Sequence, residues 1–150
     1  MANRPPKVQA AKGSGSMHQL EKLKPLAQLL LRLTLAIIFI YHGYPKLFSE
    51  RAHWVAAFPG MGFPWYFAYI SGALEFFGGC LLVVGLFTRP VALLLAAELF
   101  IAVWRVHLAK GVLAVGFYQF PLLLAVASLT LMIIGGGTLS VDRAIFGSKQ

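Results

Sequence analysis

Three ionisable side chains, Arg32, Glu75 and Glu98, stand inside long apolar runs of a chain that carries only five acidic residues. An ionised group at the centre of a bilayer costs at least about 2.5–3.5 kcal/mol on insertion scales, so such groups turn inward and pair. Depth indicates which of them can meet. At 1.5 Å per residue, Arg32 is roughly 10 Å and Glu98 roughly 12 Å from the starts of their helices, and Glu75 is roughly 18 Å from the end of its own. The match predicts a structural ion pair between Arg32 and Glu98 that fixes helix register. Glu75 lies within reach of the same network, and an Arg32–Glu75 pairing stays open. Glu75 has no depth-matched cation of its own. A buried carboxyl without a close cation is favoured in its neutral form and suits a proton relay or a hydrogen bond to a ligand. Glu75 is therefore the candidate proton-handling residue.

A second group of polar residues sits at the ends of the apolar runs. The stretch Leu29–Phe48, "LLLRLTLAIIFIYHGYPKLF", closes on His42, Gly43, Tyr44, Pro45 and Lys46. His42, Lys46, Glu75, His107 and Gln119 are the candidate ligand-binding residues, and His42, Lys46 and Gln119 could each hydrogen-bond a carbonyl. The alternative for His42 and Lys46 is that they snorkel to the membrane surface. No metal site is expected. The single cysteine, Cys80, excludes CxxC and cysteine-based zinc sites, and no spacing motif draws His42 and His107 together. Cys80 reads as a packing residue.

The elements that must position these groups follow from composition. The chain is 59% hydrophobic and 12% charged, with mean hydropathy +0.75. Soluble domains carry about 25% charged residues, so the chain reads as an integral membrane protein. Its net charge of +8 does not point to nucleic acid, because Arg4, Lys7, Lys12, Lys22 and Lys24 all precede the first apolar run. Residues 1–24 read as a disordered basic cytoplasmic tail, 25–142 as the membrane domain and 143–150 as a short cytoplasmic tail.

Four apolar segments approach the roughly 20 residues a spanning helix needs: Pro25–Tyr44, Trp65–Phe87, Pro90–Leu108 and Phe117–Ile134. Pro25, Pro64, Pro90 and Pro121 fall at or near their starts, where a missing N–H costs least. The expected fold is an all-α bundle of four transmembrane helices. The first outer loop, Ser49–Pro64, is longer than an antiparallel pair requires, and predicts a short interfacial helix over the bundle mouth. Eight Lys and Arg lie in the N-terminal tail, the second loop and the C-terminal tail, so the positive-inside rule puts both termini in the cytoplasm. Every Trp and Tyr lies toward the opposite, outer end, a one-sided aromatic layer that suggests something is enclosed there.

Faces follow at 100° per residue. Arg32, Phe39, Gly43 and Lys46 share one side of the first helix. Glu75 shares its side with Ala68, Ser71, Gly72, Gly78 and Gly79, small residues that admit a close neighbour. Glu98, Ala102 and Arg105 line one side of the third helix, with His107 roughly opposite. Gln119, Leu123 and Thr130 share a face of the fourth.

In this order, Arg32, Gly43 and Lys46, then Glu75, Gly79, Gly85 and Arg89, then His107, then Asp142 after the "GGGTLSVD" turn, the chain resembles the DoxX family of small bacterial membrane proteins. The resemblance covers about residues 25–142. It implies a four-helix protein of the bacterial inner membrane, of a family with members tied to quinone-linked sulfur oxidation or to thiol and oxidative stress. Two features depart from the family pattern. Gln119 stands where an acidic residue is frequent, which weakens any mechanism needing a carboxylate there. Gly135-Gly136-Gly137 replaces a Gly-Pro-Gly turn.

The function expected is an accessory subunit of a quinone- or thiol-linked membrane redox system, with a small-molecule site at the outer mouth. The chain holds no residue set that carries electrons, so it is not expected to be catalytic alone. No cofactor is intrinsic, and a quinone is the ligand considered. Expected partners are the lipid bilayer, other membrane redox proteins and a second copy of the chain, with nucleic acid excluded. Two alternatives remain: a small carrier or channel using an intramembrane Arg/Glu path, and a non-catalytic assembly partner.

Overall fold

The computed structural model describes residues 14–107 and 115–147, and every regular element among them is helical. The order is α1 (Ser14–Tyr44), a first π-helical turn (Pro45–Ser49), α2 (Arg51–Gly60), α3 (Phe67–Val84), α4 (Thr88–Ala102), a second π-helical turn (Val103–His107), α5 (Val115–Ile134) and α6 (Val141–Phe146). Three stretches are long and apolar enough to cross a membrane: Glu21–Ser49, Phe67–Val84 and Val115–Ile134. Helix α4 is 15 residues long and is prolonged by the second π turn.

Helices α1, α3, α4 and α5 pack in a ring, each against two neighbours, and α2 lies on α3 and the first π turn. The core runs along the ring axis through Leu35, Phe39, Leu82, Leu95 and Leu131. Glycines bring α1 and α3 together. A Cβ on Gly43 would overlap the Phe76 backbone nitrogen, and one on Gly79 would come within 2.9 Å of the Ala36 carbonyl oxygen. The α1–α3 contact is thus close enough for backbone to meet backbone, the packing that small residues allow.

Several boundaries differ from those read in the sequence. Helix α1 begins at Ser14, so Pro25 lies inside a helix whose N-terminal end was assigned to the tail. Pro121 likewise lies within α5, which starts at Val115. The loop helix is present as α2. Cys80 is exposed on the outer face of α3, because Gly78, Gly79 and Leu82 take the inward positions around it. It does not pack in the interior.

At one end of the ring, α3 closes on Gly85 at φ 71°, with Leu86 N donating to Leu81 O at 3.0 Å, the bond of a Schellman cap. Phe87 follows at φ 51°, the left-handed region that side chains avoid. Asp142 holds it there: its Oδ1 accepts from Phe87 N at 2.7 Å and its Oδ2 from Thr88 N at 2.8 Å. These are orphan donors at the start of α4, so the carboxylate caps that helix from the far end of the chain.

Candidate functional site

Arg32 belongs to this closed end. Its Nη1 donates to Gly136 O at 2.8 Å, and its Nη2 to Leu139 O at 2.8 Å and Val83 O at 3.5 Å. The guanidinium is buried, and Asp142 is the carboxylate whose charge it feels. Arg32 is therefore not brought to Glu98, and the pair predicted from depth is replaced by bonds to the turn after α5. The physical reason is the level of α1. Because α1 extends to Ser14, Arg32 lies level with Val83 and Gly136, at the ends of α3 and α5. The fork of guanidinium donors suits several converging carbonyls.

The other end of the ring gathers most of the remaining candidates. Pro45 has no N–H to give the helix ladder, and the chain continues as a π turn in which Glu50 N donates to Pro45 O at 2.9 Å. That turn carries Lys46 across α3 at Gly72, where a Cβ would stand 2.8 Å from Lys46 Cβ. Lys46 Nζ then donates to Glu75 Oε2 at 2.6 Å and to Ser71 Oγ at 2.9 Å. Only 11% of the Lys46 side chain and 7% of the Glu75 side chain are exposed. Lys46 also lies 5.5 Å from the centroid of the Trp54 ring of α2, in range of a cation–π contact.

Glu98 reaches the same cluster from α4. It lies beside Ser71 and within electrostatic range of Glu75 and Lys46, while its Oε2 is buried with no hydrogen-bond partner. Trp54 Nε1 is a second buried polar atom there without a hydrogen-bond partner among the described residues. Sequence reasoning assigned Glu98 to Arg32 and did not include Ser71 or Trp54 in the site. Ser71 was visible on the Glu75 face, but its place between Lys46 and Glu98 depends on the π turn.

These groups line a cavity of about 590 Å³ between α1, α3, α4 and α5, to which α2 and the loop after it also contribute. Its other walls are apolar, with Phe39, Phe67, Leu94 and Phe120 among them. His42 lines it as well. The His42 Nδ1 lies 2.8 Å from Ile38 O; a carbonyl only accepts, so Nδ1 donates and Nε2 is left as the acceptor of a neutral ring. Gln119 is exposed and outside the cavity lining. The His107 side chain lies outside the described residues. Among the described residues, no three His, Cys, Asp or Glu gather as they would around a metal ion.

The mouth is latched. Arg105, in the second π turn, donates from Nη2 to Gly62 O at 3.3 Å, and its guanidinium lies 5.8 Å from the Phe63 ring centroid. Both π turns thus sit at the cavity end of the ring, and such local unwinding is frequent at functional sites. Pro45 explains the first turn; nothing in the residues of the second explains it.

A match to the DoxX family covers residues 27–108. The chain is 34% identical over 125 residues to the Bacillus subtilis protein named "Putative oxidoreductase CatD", covering 83% of this chain and 91% of that protein. It is 33% identical to the inner membrane protein YphA of Escherichia coli, over 80% of this chain and 91% of the relative. With the inner membrane protein YqjF of the same organism it shares 29% identity, over 84% and 97%. No solved structure matches the chain.

Proposed function

The chain belongs to the DoxX family and is a multi-pass protein of the bacterial inner membrane, and on that premise we propose that it is an accessory subunit of a membrane redox system. Its part is to bind a lipid-soluble carbonyl compound, a quinone, in the cavity beneath α2. The observation that carries this reading is one apolar cavity of about 590 Å³ with its polar groups concentrated at Lys46, Ser71, Glu75, Glu98 and His42. A flat apolar ligand with polar oxygens needs that division, and ligand pockets commonly consist of apolar walls with a few convergent polar groups. The name of the Bacillus relative, "Putative oxidoreductase CatD", supports the same direction.

In this reading α4 with its π turn is the fourth membrane span. The end holding Arg32, Arg89 and Arg143 faces the cytoplasm, so the cavity opens on the outer side. Lys46 can donate to a bound carbonyl, the bare Nε2 of a neutral His42 can accept from a hydroxyl, and Glu75 holds Lys46 in place. Electrons come from a partner protein.

The test uses the full chain in lipid nanodiscs. A short-chain quinone should quench tryptophan fluorescence saturably, and Trp54→Phe should remove most of that quenching. Lys46→Met should weaken binding about tenfold, equivalent to about 1.4 kcal/mol. Absence of saturable binding sinks the ligand assignment. Native mass spectrometry from lipid tests the partner; a chain that never co-purifies with a redox protein sinks the accessory role.

A further inference from the structure

The cavity cluster contains one cation and two carboxylates. Lys46 Nζ is committed to Glu75 at 2.6 Å and to Ser71 at 2.9 Å. Glu98 has Ser71 as a neighbour, and its Oε2 is buried with no hydrogen-bond partner among the described residues. A bare carboxylate in that position would carry a full charge out of water with no cation of its own, which membrane interiors do not sustain. A second negative charge beside Glu75 would add repulsion.

The other groups facing the cluster do not relieve it. His42 of α1 has its Nδ1 on the Ile38 carbonyl. Arg105 is held outside, on Gly62 and Phe63. Helix α2 contributes Trp54, and α5 contributes Phe120, Pro121 and Leu124, none of which ionises near neutral pH. Among the described residues Lys46 is therefore the cation at hand, and Glu75 already neutralises it.

We propose that Lys46, Ser71, Glu75 and Glu98 form one proton-sharing cluster whose two carboxylates hold a single proton, resting on Glu98. The cavity wall is then neutral overall: an ammonium, a carboxylate and a carboxylic acid. Ser71 is the link. Its Oγ accepts from Lys46, which leaves its own O–H free to donate to Glu98. Glu98 is thus a positioning and proton-storing group behind the Lys46–Glu75 pair, and the cavity selects ligands with no net charge at their buried end. Neither point depends on the ligand being a quinone.

Infrared difference spectroscopy of the full chain in nanodiscs, in H2O against D2O at neutral pH, tests this directly. The background is sparse, since the chain has only five acidic side chains. Glu21 and Glu50 are exposed, and Asp142 is fixed as an acceptor by two N–H groups. The wild-type chain should show one deuterium-sensitive carbonyl stretch of a protonated carboxyl. Glu98→Gln should abolish it. Glu75→Gln should abolish it too, because Glu98 then ionises to neutralise Lys46. Lys46→Met should double it, because both acids then lack a counter-ion. Ser71→Ala should keep the band and shift its frequency. A wild-type spectrum with no such band, or a band that survives Glu98→Gln, overturns the proposal.

Discussion

Lys46 and Glu75 meet at 2.6 Å where the first π turn crosses α3, because Gly72 leaves room for the lysine to pass. Removing one partner of a buried pair strands the other, at a cost of about 3 kcal/mol. Lys46→Met should therefore lower stability by about that amount at neutral pH, measured by thermal or denaturant unfolding in detergent. Glu75→Gln should cost less than half as much, since Glu98 is at hand to replace the lost charge. Equal losses in the two variants would contradict a shared cluster.

The glycines of α3 are not equivalent. At Gly79 a Cβ would meet the Ala36 carbonyl and the Ile40 backbone nitrogen, whereas at Gly78 it would meet Val91 Cγ1 at 3.3 Å, the end of a side chain. Gly79→Ala should destabilise by about 1–3 kcal/mol, as overpacking does. Gly78→Ala should be close to neutral. Parallel melting curves of the two variants check this contrast.

At the closed end, Gly85→Ala meets two penalties at once. The residue sits at φ 71°, and its Cβ would overlap the Arg32 guanidinium. The backbone conformation alone costs about 1–2 kcal/mol. Arg32→Lys should be equally damaging, because one ammonium does not reproduce a fork serving Gly136 and Leu139 together. Asp142→Asn should lose one of its two acceptor bonds and about 1–3 kcal/mol. Unfolding midpoints for the three variants would show the losses.

The Arg105 latch is exposed and modest, worth about 1 kcal/mol. Arg105→Ala should speed backbone hydrogen exchange in residues 58–63 about fivefold without moving the melting temperature appreciably. A change spread evenly over all helices would mean that the contact is not a latch.

Much of the ring was legible from the residues. Apolar runs near the length of a membrane span, ended by Pro and Gly, located α3 and α5, and helical periodicity identified the small-residue face of α3 that carries Glu75. The partner of Arg32 was not legible. Backbone carbonyls accept its hydrogen bonds, and a carbonyl has no residue type by which to recognise it. The depth argument also assumed that apolar segments begin at a common level, whereas α1 starts well beyond its neighbours. Pro45 signalled an irregularity, but not that the result would be a π turn swinging Lys46 inward. Without that turn Ser71 has no lysine to accept from, and Glu98 looks like a partner for the arginine at its own depth.

The bonds of Arg32 carry a consequence for how the protein is made. Its carbonyl partners at Gly136 and Leu139 lie 104 and 107 residues further along the chain. When α1 first enters the bilayer during synthesis, its guanidinium has neither of those partners, and insertion is least favourable at that moment. The first helix gains its final position only when residues 136–142 emerge and wrap around it. Ribosome-bound chains stalled through a C-terminal linker too short to bring Gly136 out of the exit tunnel would therefore hold α1 loosely and be exposed to membrane proteases, and linkers long enough to release residues 136–142 would make them resistant in one step.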